Sequence, residues 1–167
     1  MDGYAIRQAP AEVRVARLED TAEMLAIYRH HVEETAVTFD VAEELPDAEG
    51  FAAKMRRTME RYPWLAAVEG SSVVGYAYAG AFRDRAAYDW SAEVTVYLAP
   101  DARGKGTGRA LYRRLEELLA LQGVRTLFAC VPTTPRAGDS HLTDASPRFH
   151  ERMGYDVERQ ISSTVFP

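Results

Sequence analysis

One stretch constrains the fold more than any other. It is Arg103-Gly104-Lys105-Gly106-Thr107-Gly108, between an alternating apolar run at residues 91–98 and a long helix-periodic run at 106–121. Glycines at alternate positions let a backbone turn tightly and approach a ligand closely. The first N–H groups of a helix lack intrahelical partners and carry the positive end of its dipole. A strand, this turn and a helix start therefore make a cradle for phosphate or pyrophosphate, to which Arg103 and Lys105 add charge. A P-loop would need glycine where Ala99 stands. A dinucleotide fingerprint would need its third glycine one residue later, after the first strand of the fold rather than a late one.

The rest of the chain supplies a sheet and helices around that cradle. Residues 13–18 alternate as a strand, and Glu19, Asp20 and Thr21 can cap a helix bearing Met24, Leu25, Ile27, Tyr28 and Val32. A second helix runs from Pro46-Asp47 to residue 62, with Phe51, Met55 and Met59 on its apolar side, and Pro63 closes it. Residues 64–68 and 73–78 read as a hairpin about Glu69-Gly70-Ser71-Ser72, and 80–88 as a loop. The strand at 91–98 stops at Pro100, and Leu111, Leu115, Leu118 and Leu119 form the apolar stripe of the helix after it. A strand at 124–131, a polar loop at 132–143, a helix at 144–153 ended by Gly154 and a final strand at 155–162 follow. This order predicts one α/β (α+β) domain over residues 1–167, a mixed central sheet flanked by helices, with 1–12 as a flexible N-terminal segment.

Bulk properties narrow the function. A formal net charge of -5 disfavours nucleic acid and anionic membranes as partners. The single cysteine, Cys130, excludes an intrachain disulfide and is expected to be a small buried hydrophobe on its strand. The polar N-terminus predicts no signal peptide, and no apolar run reaches the roughly 20 residues of a membrane span, so a cytoplasmic protein is expected. His30, His31, Glu33 and Glu34 cluster near a helix end, but adjacent histidines diverge on a helix, and no metal is expected there.

Arg103-x-x-Gly106-x-Gly108 resembles the acetyl-CoA pyrophosphate motif of the GNAT N-acetyltransferase superfamily, and Glu93-Val94-Thr95-Val96-Tyr97-Leu98-Ala99-Pro100 resembles that family's fourth strand. Within the superfamily the chain is similar to the phosphinothricin acetyltransferase-like group, through Tyr62-Pro63-Trp64-Leu65, Gly75-Tyr76-Ala77-Tyr78-Ala79-Gly80, Ala87-Tyr88-Asp89-Trp90 and Phe149-His150-Glu151 with Gly154-Tyr155. The resemblance spans residues 13–161.

It implies acetyl-CoA as cosubstrate, a small amino-acid-like amine as acceptor, and direct attack in a ternary complex. Glu93 matches the general base that takes a proton from the ammonium. Backbone groups at Val94 and Val96 match those that meet the carbonyl oxygen and the pantetheine arm. Arg103, Gly104, Lys105, Gly106, Thr107 and Gly108 match the cofactor cradle. His150 stands where this group has a histidine; as general acid, as a residue orienting CoA, or as plain packing, its role stays open. Asp144 and Ser146 are expected to cap the last helix, Ser146 on the cofactor side, where the family more often has asparagine.

On the acceptor side Arg83, Arg85 and Tyr88 match a lysine, an arginine and a tyrosine of the group, and Phe39 and Tyr97 match pocket positions. Arginine pairs well with carboxylate or phosphinate, and the group's acceptors are phosphinothricin, methionine sulfone and methionine sulfoximine. A homodimer is also implied. After its sixth strand the group continues through a Gly-Phe-Lys-like segment into one more strand. Here Val165-Phe166-Pro167 ends the chain, so that C-terminal strand is expected to be missing. Other amines (polyamines, aminoglycosides, protein N-termini), an acetyl-CoA-binding domain without turnover, and a nucleotide-binding protein are the competing readings.

Overall fold

The computed structural model describes residues 11–38, 42–133 and 142–156. Among these residues five strands form one sheet in the order β1-β2-β3-β4-β5. They are β1 (Glu12–Val15), β2 (Trp64–Glu69), β3 (Ser72–Ala81), β4 (Ser91–Leu98) and β5 (Thr126–Phe128). The first four pair antiparallel, and β4 pairs parallel with β5. The helices are α1 (Thr21–Glu34), α2 (Ala48–Met59), α3 (Thr107–Leu121) and α4 (Ala145–Arg152). The mixed sheet with flanking helices agrees with the expected class.

The sheet separates two cores, because side chains alternate across a strand. On β4, Val94, Val96 and Leu98 face a core built with Leu111, Tyr112, Leu115 and Leu119 of α3. Those α3 residues recur at helical spacing, and each fully buried leucine contributes about 1.5–3 kcal/mol. The intervening Glu93, Thr95 and Tyr97 face the other way, where α1 and α2 pack through Met24, Tyr28, Phe51 and Met55 onto Trp64 and Tyr76. That second core is largely aromatic: Trp64 stacks on Tyr78 at 4.2 Å and meets Phe51 edge-on at 5.8 Å.

Local chemistry sets the helix starts. Asp47 accepts from Gly50 N at 2.7 Å and caps α2. Asp20 instead takes a bidentate pair from Arg14 at 2.7 Å and a bond from Arg17 N, which fastens β1 to the turn before α1.

The strand expected at 124–131 is much shorter. Its ladder with β4 runs only from Ser91–Thr126 to Glu93–Phe128. Apolar composition forecasts burial but not the direction of the backbone, and beyond Phe128 the two segments no longer pair. Cys130 consequently lies past the strand and is exposed, not buried as expected. Phe39, most of the loop after Pro132 and the strand expected at 155–162 beyond residue 156 lie outside the described residues.

Candidate functional site

The glycine cradle sits where the sequence places it. A short 3-10 turn, Pro100–Ala102, leads from β4 into Arg103 and the start of α3. Gly104 and Gly106 have φ of 75° and 90°, left-handed values that a side chain would strain. A Cβ built on either would meet nothing within 4 Å, so the space over the turn is open. Gly108 is different: its Cβ would lie 3.3 Å from Phe149 Cε2 and 3.4 Å from Leu98 Cδ1, so this glycine lets α3 approach α4 closely. Thr107 begins α3 fully buried, with its Oγ1 lacking a hydrogen-bond partner among the described residues.

Arg103 and Lys105 are exposed beside the turn, and Lys105 Nζ lies 4.0 Å from Glu69 Oε2. Arg109, exposed in the first turn of α3, adds a cation to which the motif assigned no role. A basic residue at the positive end of a helix is disfavoured without an anion nearby, and that rule was the available signal.

Next to the cradle, β4 and β5 form a fork. The Trp90 carbonyl accepts from Arg125 N at 2.8 Å and Thr126 N at 3.2 Å, so it faces β5. Main-chain direction alternates along a strand, which turns the groups of Ala92, Val94 and Val96 to the same side. The ladder ends at Glu93–Phe128, so Val94 and Val96 present their main chain to the opening of the fork. An extended ligand can add there as a strand would. Open glycines, a helix start, exposed cations and this fork fit acetyl-CoA.

Glu93 stands at the base of the fork, half-buried, opposite Gly80 of β3 and Phe128 of β5. Gly80 leaves open space at its side, since a Cβ there would touch nothing within 4 Å. The loop after β3 flanks that space. Phe82 stacks on Phe128 at 3.8 Å and meets Tyr88 edge-on at 5.7 Å. The Arg83 guanidinium lies over the Phe82 ring at 5.2 Å. Tyr88 N donates to the Arg85 carbonyl at 2.8 Å, and both side chains are exposed. The Phe82–Phe128 pair had no assigned role in the sequence, because Phe82 lies in the loop after β3 and Phe128 in β5, far along the chain. Cys130 lies near Glu93: desolvation first, and then the Glu93 charge, raise its thiol pKa.

Tyr97 shares the Glu93 face but belongs to the aromatic core, with Tyr28 at 5.3 Å, His31 at 5.1 Å and Tyr76 at 5.5 Å. His31 is 7% exposed, and its Nε2 lies 3.0 Å from the Leu98 carbonyl. A carbonyl only accepts, so Nε2 carries the proton and Nδ1 is the bare nitrogen, buried without a partner among the described residues. Burial, and secondarily the charge of Arg103, lower its pKa to about 4, against which the Leu98 bond works only partly. The helix end bearing His31 thus packs on the root of the cradle, at the Leu98 carbonyl.

His150 is held at both nitrogens. Its Nδ1 donates to the Ser146 carbonyl at 2.8 Å, and its Nε2 accepts from the Tyr112 hydroxyl at 2.7 Å. Burial lowers the His150 pKa and keeps Tyr112 well above the ordinary tyrosine range. The first turn of α4 differs from expectation. Thr143 Oγ1 accepts from Ala145 N at 3.3 Å, whereas the Asp144 carboxylate pairs with Arg148 at 3.2 Å, because a cation one turn on competes for it. Ser146 contributes its carbonyl to His150.

Comparison with known proteins settles the family. Residues 13–165 match the acetyltransferase (GNAT) domain. The chain belongs to the GNAT acetyltransferases. It is 34% identical to the phosphinothricin N-acetyltransferase of Streptomyces viridochromogenes over 94% of this chain and 80% of that one. It is 30% identical to an L-methionine sulfoximine/L-methionine sulfone acetyltransferase of Pseudomonas paraeruginosa, over 90% and 83%. The structure of a phosphinothricin acetyltransferase from Sinorhizobium meliloti in complex with acetyl-CoA superposes with a TM-score of 0.79 at 30% identity, covering 89% of this chain and 76% of that one. As a GNAT acetyltransferase the chain is an N-acetyltransferase, and the cradle and fork lie on the elements that the sequence assigned to acetyl-CoA. Among the described residues no helix is long and apolar enough to cross a membrane, and no three His, Cys, Asp or Glu side chains converge as a metal site.

Proposed function

We propose that this acetyltransferase acetylates the amine of a small amino acid of the phosphinothricin, methionine sulfone or methionine sulfoximine type, by direct attack in a ternary complex. The observation that carries the reading is the position of Glu93, at the base of the fork and facing the open space over Gly80.

Arg103, Lys105 and the N–H groups at the start of α3 bind the pyrophosphate of acetyl-CoA, and main-chain groups of Val94 and Val96 hold its pantetheine arm. Glu93 takes one proton from the acceptor ammonium, directly or through a water. The freed amine attacks the acetyl carbonyl carbon, forming the C–N bond. An N–H of Val94 or Val96 meets the oxygen as it gains charge. The C–S bond then breaks, and the second proton lost from nitrogen neutralises the CoA thiolate.

This scheme needs no proton from His150, whose imidazole is neutral and engaged at both nitrogens. His150 is then the residue that orients α4 against the cofactor. Arg85, with Arg83 and Tyr88, meets the tetrahedral polar group of the acceptor, and the Phe82–Phe128 pair walls the space beside it. The enzyme acts as a homodimer, a point that light scattering on the eluting protein checks.

Thiol release from acetyl-CoA tests the substrate class, with phosphinothricin, methionine sulfone, methionine sulfoximine, the ordinary amino acids and polyamines as acceptors. Turnover on the first three is expected. Turnover on polyamines alone would contradict the proposal.

A further inference from the structure

Lys54 answers a question that the loop arginines leave open: what holds the α-carboxylate of an amino-acid acceptor. α2 packs through Phe51 and Met55, which places half-buried Lys54 at the border of the aromatic core. Its Nζ donates to the Tyr78 hydroxyl at 3.3 Å and lies 5.2 Å from that ring's centroid. Tyr78 cannot swing away, since its ring is stacked on fully buried Trp64 at 4.2 Å. The ammonium is therefore fixed in place by a neutral group. Among the described residues no carboxylate forms an ion pair with it.

The sheet register sets Tyr78, the partner of this cation, near Glu93. Tyr78 pairs with Thr95, and Gly80 with Glu93. Tyr78 and Glu93 are thus diagonal neighbours on one face, a relation that spans about 7–8 Å between positions. The open space over Gly80 lies between them. The loop with Arg85 and Tyr88 begins just after Ala81, the residue that follows Gly80.

We infer that Lys54, positioned by Tyr78, binds the α-carboxylate of the acceptor and selects α-amino acids over simple amines. The inference rests on the proposed function and deepens it. An amino acid whose ammonium reaches Glu93 has its carboxylate one carbon away, on the Lys54 side, while its side chain extends toward Arg85. A half-buried ammonium that among the described residues meets a hydroxyl and a ring gains from an anion arriving in that space.

The test compares methionine sulfone with its α-carboxamide, which keeps shape and amine but loses the negative charge. Wild type should favour the free acid by roughly tenfold or more in kcat/KM, the order of a charged hydrogen bond. Lys54→Met should remove that preference by raising KM for the acid about tenfold, with kcat and the amide's kinetics little changed. Lys54→Arg should restore much of it. Tyr78→Phe, which keeps the stack on Trp64, should weaken it partially. An equal loss on acid and amide would mark Lys54 as merely structural and overturn the inference, and so would an unchanged preference in Lys54→Met. Turnover confined to amines without a carboxylate would overturn the inference and leave acetyl transfer standing. No turnover on any acceptor would overturn the proposed function, and this inference with it.

Discussion

The Tyr112 hydroxyl, on α3, donates to Nε2 of His150, on α4, at 2.7 Å, while Nδ1 of the same ring donates to the Ser146 carbonyl. The pair ties α4, which packs on the first turn of α3 through Phe149, to the helix that begins at the glycine cradle. A neutral imidazole bound in this way has no spare proton. Tyr112→Phe should leave a buried nitrogen unsatisfied and cost about 1–3 kcal/mol of stability, measurable by denaturant unfolding. His150→Gln should raise KM for acetyl-CoA more than it lowers kcat. A kcat loss of about a hundredfold or more, typical for removal of a general acid, would restore the acid role.

His31 ties stability to pH. Its native pKa is lowered to about 4, from an ordinary value of 6.5. Between those values the unfolded chain binds a proton at this site and the native one does not. Its contribution is therefore complete above pH 6.5 and is lost as pH falls toward 4. The span corresponds to about 3 kcal/mol. His31→Gln keeps a donor for the Leu98 carbonyl, and its unfolding free energy should vary less between pH 7 and 5 than that of wild type. Identical pH slopes in the two proteins would refute this assignment. The Asp20 window lies apart: the hydrogen bonds from Arg14 hold its pKa below 3.8, and its contribution is lost only as pH falls through that lowered value.

Gly106→Ala separates strain from steric block. With φ at 90° the alanine would cost about 1–2 kcal/mol of stability. Its methyl group would also project into open space over the cradle, the proposed place of the cofactor phosphates. Thermal shift by acetyl-CoA should shrink in this variant. Gly108→Ala should instead destabilise by crowding Phe149, because its φ is not left-handed and its neighbour is 3.3 Å away.

The sheet and the cradle were legible because they rest on short-range periodicity. Alternation along β4 sets Glu93 and Tyr97 on one face and Val94 and Val96 on the other, and the apolar stripe of α3 follows from its helical spacing. Less of the site was legible, because its contacts join distant residues. Lys54 and Tyr78 meet only through the packing of α2 on the sheet. Tyr112 reaches His150 because Gly108 lets α4 approach. Cys130 was misplaced because apolar composition does not reveal where β5 leaves β4. The Asp144 carboxylate was read as a cap because a sequence does not show that Arg148 will take it.

The role of Glu93 as base is tested by Glu93→Gln, with single-turnover acetyl transfer and acetyl-CoA binding measured on the same protein. The replacement keeps size and polarity but removes the proton acceptor. A fall in the transfer rate of about a hundredfold or more near neutral pH is expected, partly recovered at high pH where the acceptor amine is already deprotonated, with acetyl-CoA affinity unchanged. A transfer rate within a few-fold of wild type, with the same pH profile, would contradict it.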